Sequence, residues 1–315
     1  MVICLYGQEW EKAREEIAFA LYLQNINYTE SDIRGEHESI NAHLINNRDS
    51  FIKQIGAAIP PEINYKLITA AARLEKIFAQ IEADADKPAL STGFTELDGL
   101  LDGGINTGLY IIGAISSLGK TTFIIQLADY IAKQGQDVLF FSLEQPEREI
   151  IAKSISRESY NAALLKTGET RGAKSTTGIL NGRHYKNYTD TERQIIKAAK
   201  ANYSAYADRI RIIEGVGNIG VKEIEQRIKD HVKYTEGRKP VIFIDYLQIM
   251  AAYEDDRRSY TDKQAVDKNI IELKRISRNY TIIAISSFNR DSYTEPVTLS
   301  SFKESGAIEI GRAHV

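Results

Sequence analysis

The segment Ala114–Thr122 combines residue types that bind phosphate groups at the start of a helix. Gly119 lets the backbone turn so that amide groups face phosphate oxygens, and the helix N-terminus adds partial positive charge. Lys120 is expected to neutralise the β- and γ-phosphates, and the Thr121 hydroxyl to bind Mg²⁺. The usual pattern begins with glycine, whereas here Ala114 stands in that position. The residues predicted to contact ATP are Ser116, Ser117, Leu118, Gly119, Lys120, Thr121 and Thr122.

Two carboxylates follow apolar segments that are predicted to be strands. Asp245 ends Val241–Asp245, which would place it at the C-terminal edge of a sheet, where ligands bind in open α/β folds. There Asp245 would hold Mg²⁺ through water. The alternative is that it is only a turn residue at the end of the strand. Glu144 follows Val138–Ser142 and is predicted to polarise the attacking water. The alternative is that Glu144 merely favours the start of the next helix. Together the two acids favour hydrolysis of a nucleotide over binding alone.

The elements that would position these residues alternate between strand and helix from residue 89 onward, which predicts an α/β fold with a mostly parallel sheet covered on both faces. Residues 159–190 interrupt the alternation and are predicted to form an exposed insertion. Residues 62–85 have helical periodicity. The predicted strands are Leu109–Ala114, Val138–Ser142, Arg209–Glu214, Val241–Asp245 and Thr281–Ser286, and the predicted helices are Thr121–Lys133, Pro146–Arg157, Lys222–Tyr234 and Asp262–Asn279.

Composition narrows the class of protein. Of the 315 residues, 43% are hydrophobic, which is enough to bury a full core. The formal net charge is −3, so a nucleic-acid partner would have to bind a local basic patch. A single cysteine, Cys4, excludes an internal disulfide and a cysteine zinc cluster. Because no apolar run reaches the roughly 18 residues of a membrane span, we predict a cytoplasmic protein without membrane contact.

In order and spacing, these segments resemble the C-terminal ATPase domain of DnaB-type replicative DNA helicases, over residues 90–309. The resemblance implies a RecA-like P-loop ATPase fold, with Glu144 as the catalytic base. It also implies a sensor strand with Ser287, Asn289 and Arg290, and a DNA-contact loop with Lys303, Glu304 and Gly306. The matching segments are Ser91–Asp98, Ala114–Thr122, Phe140–Glu144, Ile244–Ile249, Ile285–Arg290 and Phe302–Glu309.

The resemblance further implies ATP and Mg²⁺ as cofactors, and single-stranded DNA and a homo-hexamer of this chain as partners, with primase and a helicase loader as further candidates. The family's sensor strand usually carries Gln where Ser287 stands, which puts the coupling of hydrolysis to DNA in doubt. The family's arginine finger has no counterpart here. Residues 310–315 do not resemble the family's continuation, so we expect a C-terminally truncated chain with a non-native tail.

The domain organisation predicted from these observations has four parts. Residues 1–60 form a small α or α/β region, interpreted either as a degenerate Toprim remnant of a mobile-element primase–helicase or as a helical cap. Residues 61–88 form a linker helix expected to pack against a neighbouring subunit. Residues 89–309 form the incomplete ATPase domain, and 310–315 the tail.

Three hypotheses for function remain open at this stage. The first is an ATP-dependent helicase that translocates on single-stranded DNA during DNA replication. The second is a RecA-type recombinase or regulatory ATPase. The third is a truncated, non-catalytic nucleotide-binding fragment, since a missing arginine finger alone can lower the rate by about 10³- to 10⁵-fold.

Overall fold

The structure, a computed structural model, describes residues 2–3, 29–30, 49, 69–85, 89–215, 219–251, 262–289, 298 and 301–302. It divides into two compact units, Met1–Lys87 and Pro88–Val315. In the first unit, the short strands β1 (Val2–Ile3) and β2 (Thr29–Glu30) pair in parallel. Helix α1 (Ala70–Ala85) covers the last 16 residues of the helix predicted over 62–85, of which residues 62–68 lie outside the described residues.

The second unit is built on a parallel sheet of five strands: β3 (Gly108–Ala114), β4 (Val138–Ser142), β5 (Ile210–Glu214), β6 (Val241–Asp245) and β7 (Thr281–Ser287). Their order across the sheet is β3-β7-β6-β4-β5. All four neighbouring pairs are parallel, which confirms the predicted α/β class and its parallel sheet. Strand bounds match the prediction within one residue because short apolar runs mark strands that are buried on both faces.

Helices cover both faces of this sheet. Side chains alternate between the faces along each strand, so Phe140 and Phe243 enter one core while Phe141 and Ile244 enter the other. The first core packs against α3 (Lys120–Lys133), and the second against α8 (Val221–Tyr234) and α9 (Asp262–Ile276). The other α-helices that the structure describes in this unit are α2 (Thr95–Leu100), α4 (Glu147–Thr167), α5 (Thr176–Leu180), α6 (Gly182–Lys186) and α7 (Asp190–Ser204).

Residues 159–190 interrupt the alternation of strand and helix and are mostly exposed, as predicted, but much of the segment is helical. Helix α4 continues to Thr167, and Ala163 and Ile195 are buried where α4 packs against α7. Some of the polar residues that suggested an insertion act as helix ends. Gly168 adopts a left-handed φ of 70° after α4, and the Thr189 side chain accepts the Glu192 amide in a capping box that starts α7.

At the N-terminal edge of the sheet, the buried residue Asp137 links the starts of three strands through ion pairs and a backbone hydrogen bond. Asp137, immediately before β4, lies 3.4 Å from the Arg209 guanidinium before β5. The Arg238 guanidinium, before β6, lies 3.2 Å from the other carboxylate oxygen. The Asp137 carbonyl also accepts the Val241 amide at 2.8 Å. This edge therefore holds the strands in place and is separate from the edge where the predicted phosphate loop lies.

Among the helices that the structure describes, none is both long and apolar enough to cross a membrane.

Candidate nucleotide-binding site

The predicted phosphate-binding and acidic residues come together at the C-terminal edge of the parallel sheet. The phosphate loop leaves β3 at Ala114 and leads into α3, which begins at Lys120. Asp245 is the last residue of β6 and pairs in register with Ser142, the last residue of β4. Glu144 lies two residues beyond that pair. Because parallel strands end at one edge, residues far apart in sequence share a single site.

The loop backbone has the shape that its glycine and serine allow. Gly119, the N-cap of α3, has φ of 94°, and Ser117 has φ of 65°. Lys120 lies over the loop, where its Nζ donates to the carbonyls of Ala114 at 3.1 Å and Ile115 at 3.0 Å. Ser116, Leu118 and Thr122 are exposed. The predicted ATP-contacting residues therefore surround the first turn of a 14-residue helix, whose dipole favours an anion there.

Asp245 is fully buried at this edge, and burial raises the pKa of its carboxyl to about 6. The Thr121 hydroxyl, Lys153 and Lys120 favour the ionised form and oppose that rise, whereas Glu144 adds to it. Among the described residues, neither carboxylate oxygen has a hydrogen-bond partner of normal geometry. A buried carboxylate with unsatisfied oxygens beside a hydroxyl fits a hard divalent cation, which prefers oxygen ligands.

Glu144 is exposed in the turn between β4 and α4, and this turn is supported from three sides. The Ser142 hydroxyl donates to the Gln145 carbonyl at 2.5 Å. The Glu214 carboxylate, at the end of β5, accepts the Glu147 amide at the N-terminus of α4 at 2.8 Å. Lys153 Nζ donates to the Gln145 side-chain oxygen at 2.6 Å. Sequence reasoning missed Gln145, Lys153 and Glu214 as parts of the site, because only the fold brings them to the turn.

The predicted sensor strand is β7, whose last residue, Ser287, pairs in register with Ala114 at the start of the phosphate loop. The neighbouring Ser286 is fully buried and accepts a hydrogen bond at 2.8 Å from Gln248, which follows the Asp245 strand. Gln248 was also missed, although it lies within the quoted segment Ile244–Ile249. Its hydrogen bond joins the segment after β6 to β7, the predicted sensor strand.

Beyond β7, Asn289 donates its backbone amide to the Ser301 carbonyl at 2.8 Å, and Phe288 forms an antiparallel bridge to Phe302. The two aromatic rings lie edge to face, with their centroids 5.0 Å apart. They cover Gly113, where a Cβ would lie 2.1 Å from the Phe288 ring and 2.5 Å from the Phe302 ring. The end of β3 thus contacts Phe302, the first residue of the predicted DNA-contact loop. Arg290, Lys303, Glu304 and Gly306 lie outside the described residues.

Comparison with known proteins agrees with this fold. The family model described as DnaB-like helicase C terminal domain matches residues 89–312. A protein of Trieres chinensis named "Probable replicative DNA helicase" is 27% identical over 288 residues, covering 87% of this chain and 58% of that protein. "Replicative DNA helicase DnaC" of Bacillus subtilis is 28% identical over 231 residues, covering 71% of this chain and 45% of that protein. The chain therefore spans about half the length of these curated relatives.

Solved structures of the same fold extend the comparison. One, described as an ATPase domain, superposes with a TM-score of 0.61 at 22% identity, covering 77% of this chain and 80% of that one. A DnaB-like replicative helicase, described together with its interactions with primase, superposes with a TM-score of 0.61 at 20% identity, covering 96% of this chain and 65% of that one. These likenesses confirm the predicted RecA-like ATPase fold. With a family model that matches more than two thirds of its residues, this chain belongs to the DnaB-like helicase C-terminal domain family.

Proposed function

We propose that this chain binds ATP with Mg²⁺ and hydrolyses it to drive a replicative DNA helicase along single-stranded DNA. The observation that carries this proposal is the convergence of Lys120, Thr121, Asp245 and Glu144 at one edge of the parallel sheet. A cation, a hydroxyl and two acids around a helix N-terminus are the groups that phosphoryl transfer from a nucleotide needs. The chain's membership in a helicase domain family supports the choice of DNA as the polymer along which the protein moves.

Each of these residues has a specific task in the proposed reaction. Lys120 now donates to two loop carbonyls, and it would exchange them for oxygens of the β- and γ-phosphates. Thr121 and Asp245 would hold Mg²⁺, the aspartate through water, and the ion neutralises phosphate charge when bound. Glu144, exposed beside them, would accept a proton from water as the water oxygen bonds to the γ-phosphorus. The bond from that phosphorus to the bridging oxygen then breaks, which leaves ADP and inorganic phosphate.

The partners follow from the same proposal. Ser287 and Asn289, with Arg290 beyond the described residues, would report the state of the γ-phosphate to the DNA-contact loop that carries Lys303, Glu304 and Gly306. A homo-hexamer would arrange six such loops around single-stranded DNA and would provide sequence-independent contacts to its phosphates. Primase and a helicase loader are further partners, in the cytoplasm, for a chromosome or a mobile element.

ATP hydrolysis by the purified chain, measured with and without single-stranded DNA, tests the proposal. We expect DNA-stimulated turnover that falls at least about 100-fold in Glu144→Gln, because the variant cannot accept the proton. Glu147→Gln is the matched control, since Glu147 is an exposed acid at the start of α4, three residues after Glu144, and its side chain takes no part in the proposed reaction. Turnover that survives in Glu144→Gln would refute the assignment of the base. Nucleotide binding without any turnover would favour a nucleotide-binding role, and hydrolysis without strand unwinding would favour a recombinase or regulatory ATPase.

A further inference from the structure

Lys153 lies on the second turn of α4, on the side that faces the candidate site. The side chain is partly buried, and its Nζ donates to the Gln145 side-chain oxygen at 2.6 Å. Gln145 directly follows Glu144, so the hydrogen bond joins the helix to the turn that carries the proposed base. A charge-assisted hydrogen bond of this length is stronger than a neutral one and restricts the position of both partners.

The charges around Lys153 come from the site itself. Burial lowers the pKa of the Lys153 ammonium, while the negative charges of Asp245, Glu149 and Glu144 raise it. Glu144 in turn raises the pKa of Asp245, which means that the two acids repel each other. A cation that both acids attract offsets this repulsion, and it does so most effectively where burial excludes water.

We propose that Lys153 is a positioning residue of the ATPase site: its ammonium, held by Gln145, fixes the turn that carries Glu144 and balances the charge of Glu144 and Asp245. This inference rests on the proposed hydrolysis of ATP. Lys153 acts through Gln145 and the two acids and needs no contact with the nucleotide. Its loss should therefore affect the chemical step more than the binding of ATP.

Another lysine of the same helix provides a matched control. Lys166 lies near the C-terminal end of α4, is exposed, and donates to the Gln194 side chain. Lys166→Met therefore removes the same charge and a comparable hydrogen bond from the same helix, away from the acids. Any effect of lowering the net charge of the chain, or of losing a lysine from α4, appears equally in this control.

Steady-state ATP hydrolysis is measured for the wild-type chain, Lys153→Met, Lys153→Arg, Gln145→Leu, the Lys153→Met/Gln145→Leu double variant and Lys166→Met. We expect Lys153→Met to lower kcat roughly 10- to 100-fold, the effect of one lost charge-assisted hydrogen bond, while KM for ATP stays within about twofold. Arginine should restore part of kcat. Gln145→Leu should lower kcat in the same direction, and the double variant should be no slower than Lys153→Met, because both changes break one interaction. An unchanged kcat in Lys153→Met, or equal losses in Lys153→Met and Lys166→Met, would overturn the inference.

A binding measurement keeps the inference separate from the proposed function. Mn²⁺ affinity in the presence of ADP is measured on the same variants by electron paramagnetic resonance. Removing a positive charge beside two carboxylates should tighten Mn²⁺ binding by at least about threefold in Lys153→Met, with Lys153→Arg and Lys166→Met close to wild type. If the wild-type chain hydrolyses no ATP, the proposed function fails, and the Mn²⁺ result alone decides the charge-balancing role of Lys153. Equal Mn²⁺ affinity in Lys153→Met and Lys153→Arg would then overturn it.

Discussion

Replacing Asp245 with asparagine should make the protein more stable at neutral pH, although it should abolish the proposed metal site. The reason is that Asp245 is fully buried and carries an ionised carboxylate whose oxygens, among the described residues, have no hydrogen-bond partner of normal geometry. Burial of such a charge costs free energy that a binding cation would recover. An asparagine side chain has the same shape and no charge.

The pKa of Asp245 sets the size of this effect. Burial raises it from the ordinary value of 3.8 to about 6. The folded state therefore holds the proton more tightly than the unfolded state does, and stability falls as pH rises from about 4 to 6. At about 1.4 kcal/mol per pH unit, ionised Asp245 lowers the free energy of unfolding at pH 7 by about 3 kcal/mol. An asparagine should recover part of this amount, since its amide is also polar and buried.

Urea unfolding of the wild-type chain and Asp245→Asn, followed by circular dichroism in the absence of divalent cations, tests this reasoning. We expect the variant to be more stable than wild type by about 1–3 kcal/mol at pH 7.5, and the difference to shrink as pH falls from about 6 to about 4, the window between the folded and unfolded pKa values of Asp245. Glu147→Gln serves as the control, because Glu147 is exposed and its loss should change stability little at either pH. A less stable Asp245→Asn at pH 7.5, or a difference that does not vary with pH, would show that the buried charge is already compensated in the folded protein.

Three further predictions concern the packing at Gly113, the ion pairs of Asp137 and the N-terminal cap of α7. Gly113→Ala should destabilise the protein by about 1–3 kcal/mol, because its Cβ would collide with the Phe288 ring, and adding Phe288→Leu should recover part of this loss. Thermal melts of the single and double variants test this, and an unchanged melting temperature in Gly113→Ala would contradict the packing described. Asp137→Asn should lower the free energy of unfolding by about 2 kcal/mol, since Arg209 and Arg238 lose their ion pairs with the carboxylate. A urea midpoint equal to that of wild type would argue against a stabilising role for these ion pairs. Thr189→Ala should cost about 1 kcal/mol through the lost cap of α7, and Thr189→Ser should cost far less; equal melting temperatures for alanine and serine would exclude a capping effect.

Local chemistry in the sequence was sufficient for the elements and for part of the site. The strand ending at Asp245 was predicted with the bounds that the structure has, because a run of four apolar residues followed by an acid is typical of a strand buried on both faces. The phosphate loop is equally local, since its turn at Gly119 and the following helix involve neighbouring residues only. The exposure of 159–190 followed from its polar composition, but its helices did not, because Gly168 and Thr189 can end and start helices as readily as they form loops.

The sequence by itself determined the residue types of the site, the alternation of strand and helix, and the resemblance to DnaB-type helicases. Only the tertiary structure decided which strands are neighbours, and hence that Glu214 caps the helix behind Glu144, that Gln248 bonds to Ser286, and that Lys153 reaches Gln145. The physical reason is that strand order and side-chain direction depend on pairings between segments far apart in the chain, as β6 lies between β4 and β7. No periodicity within a single segment carries that information.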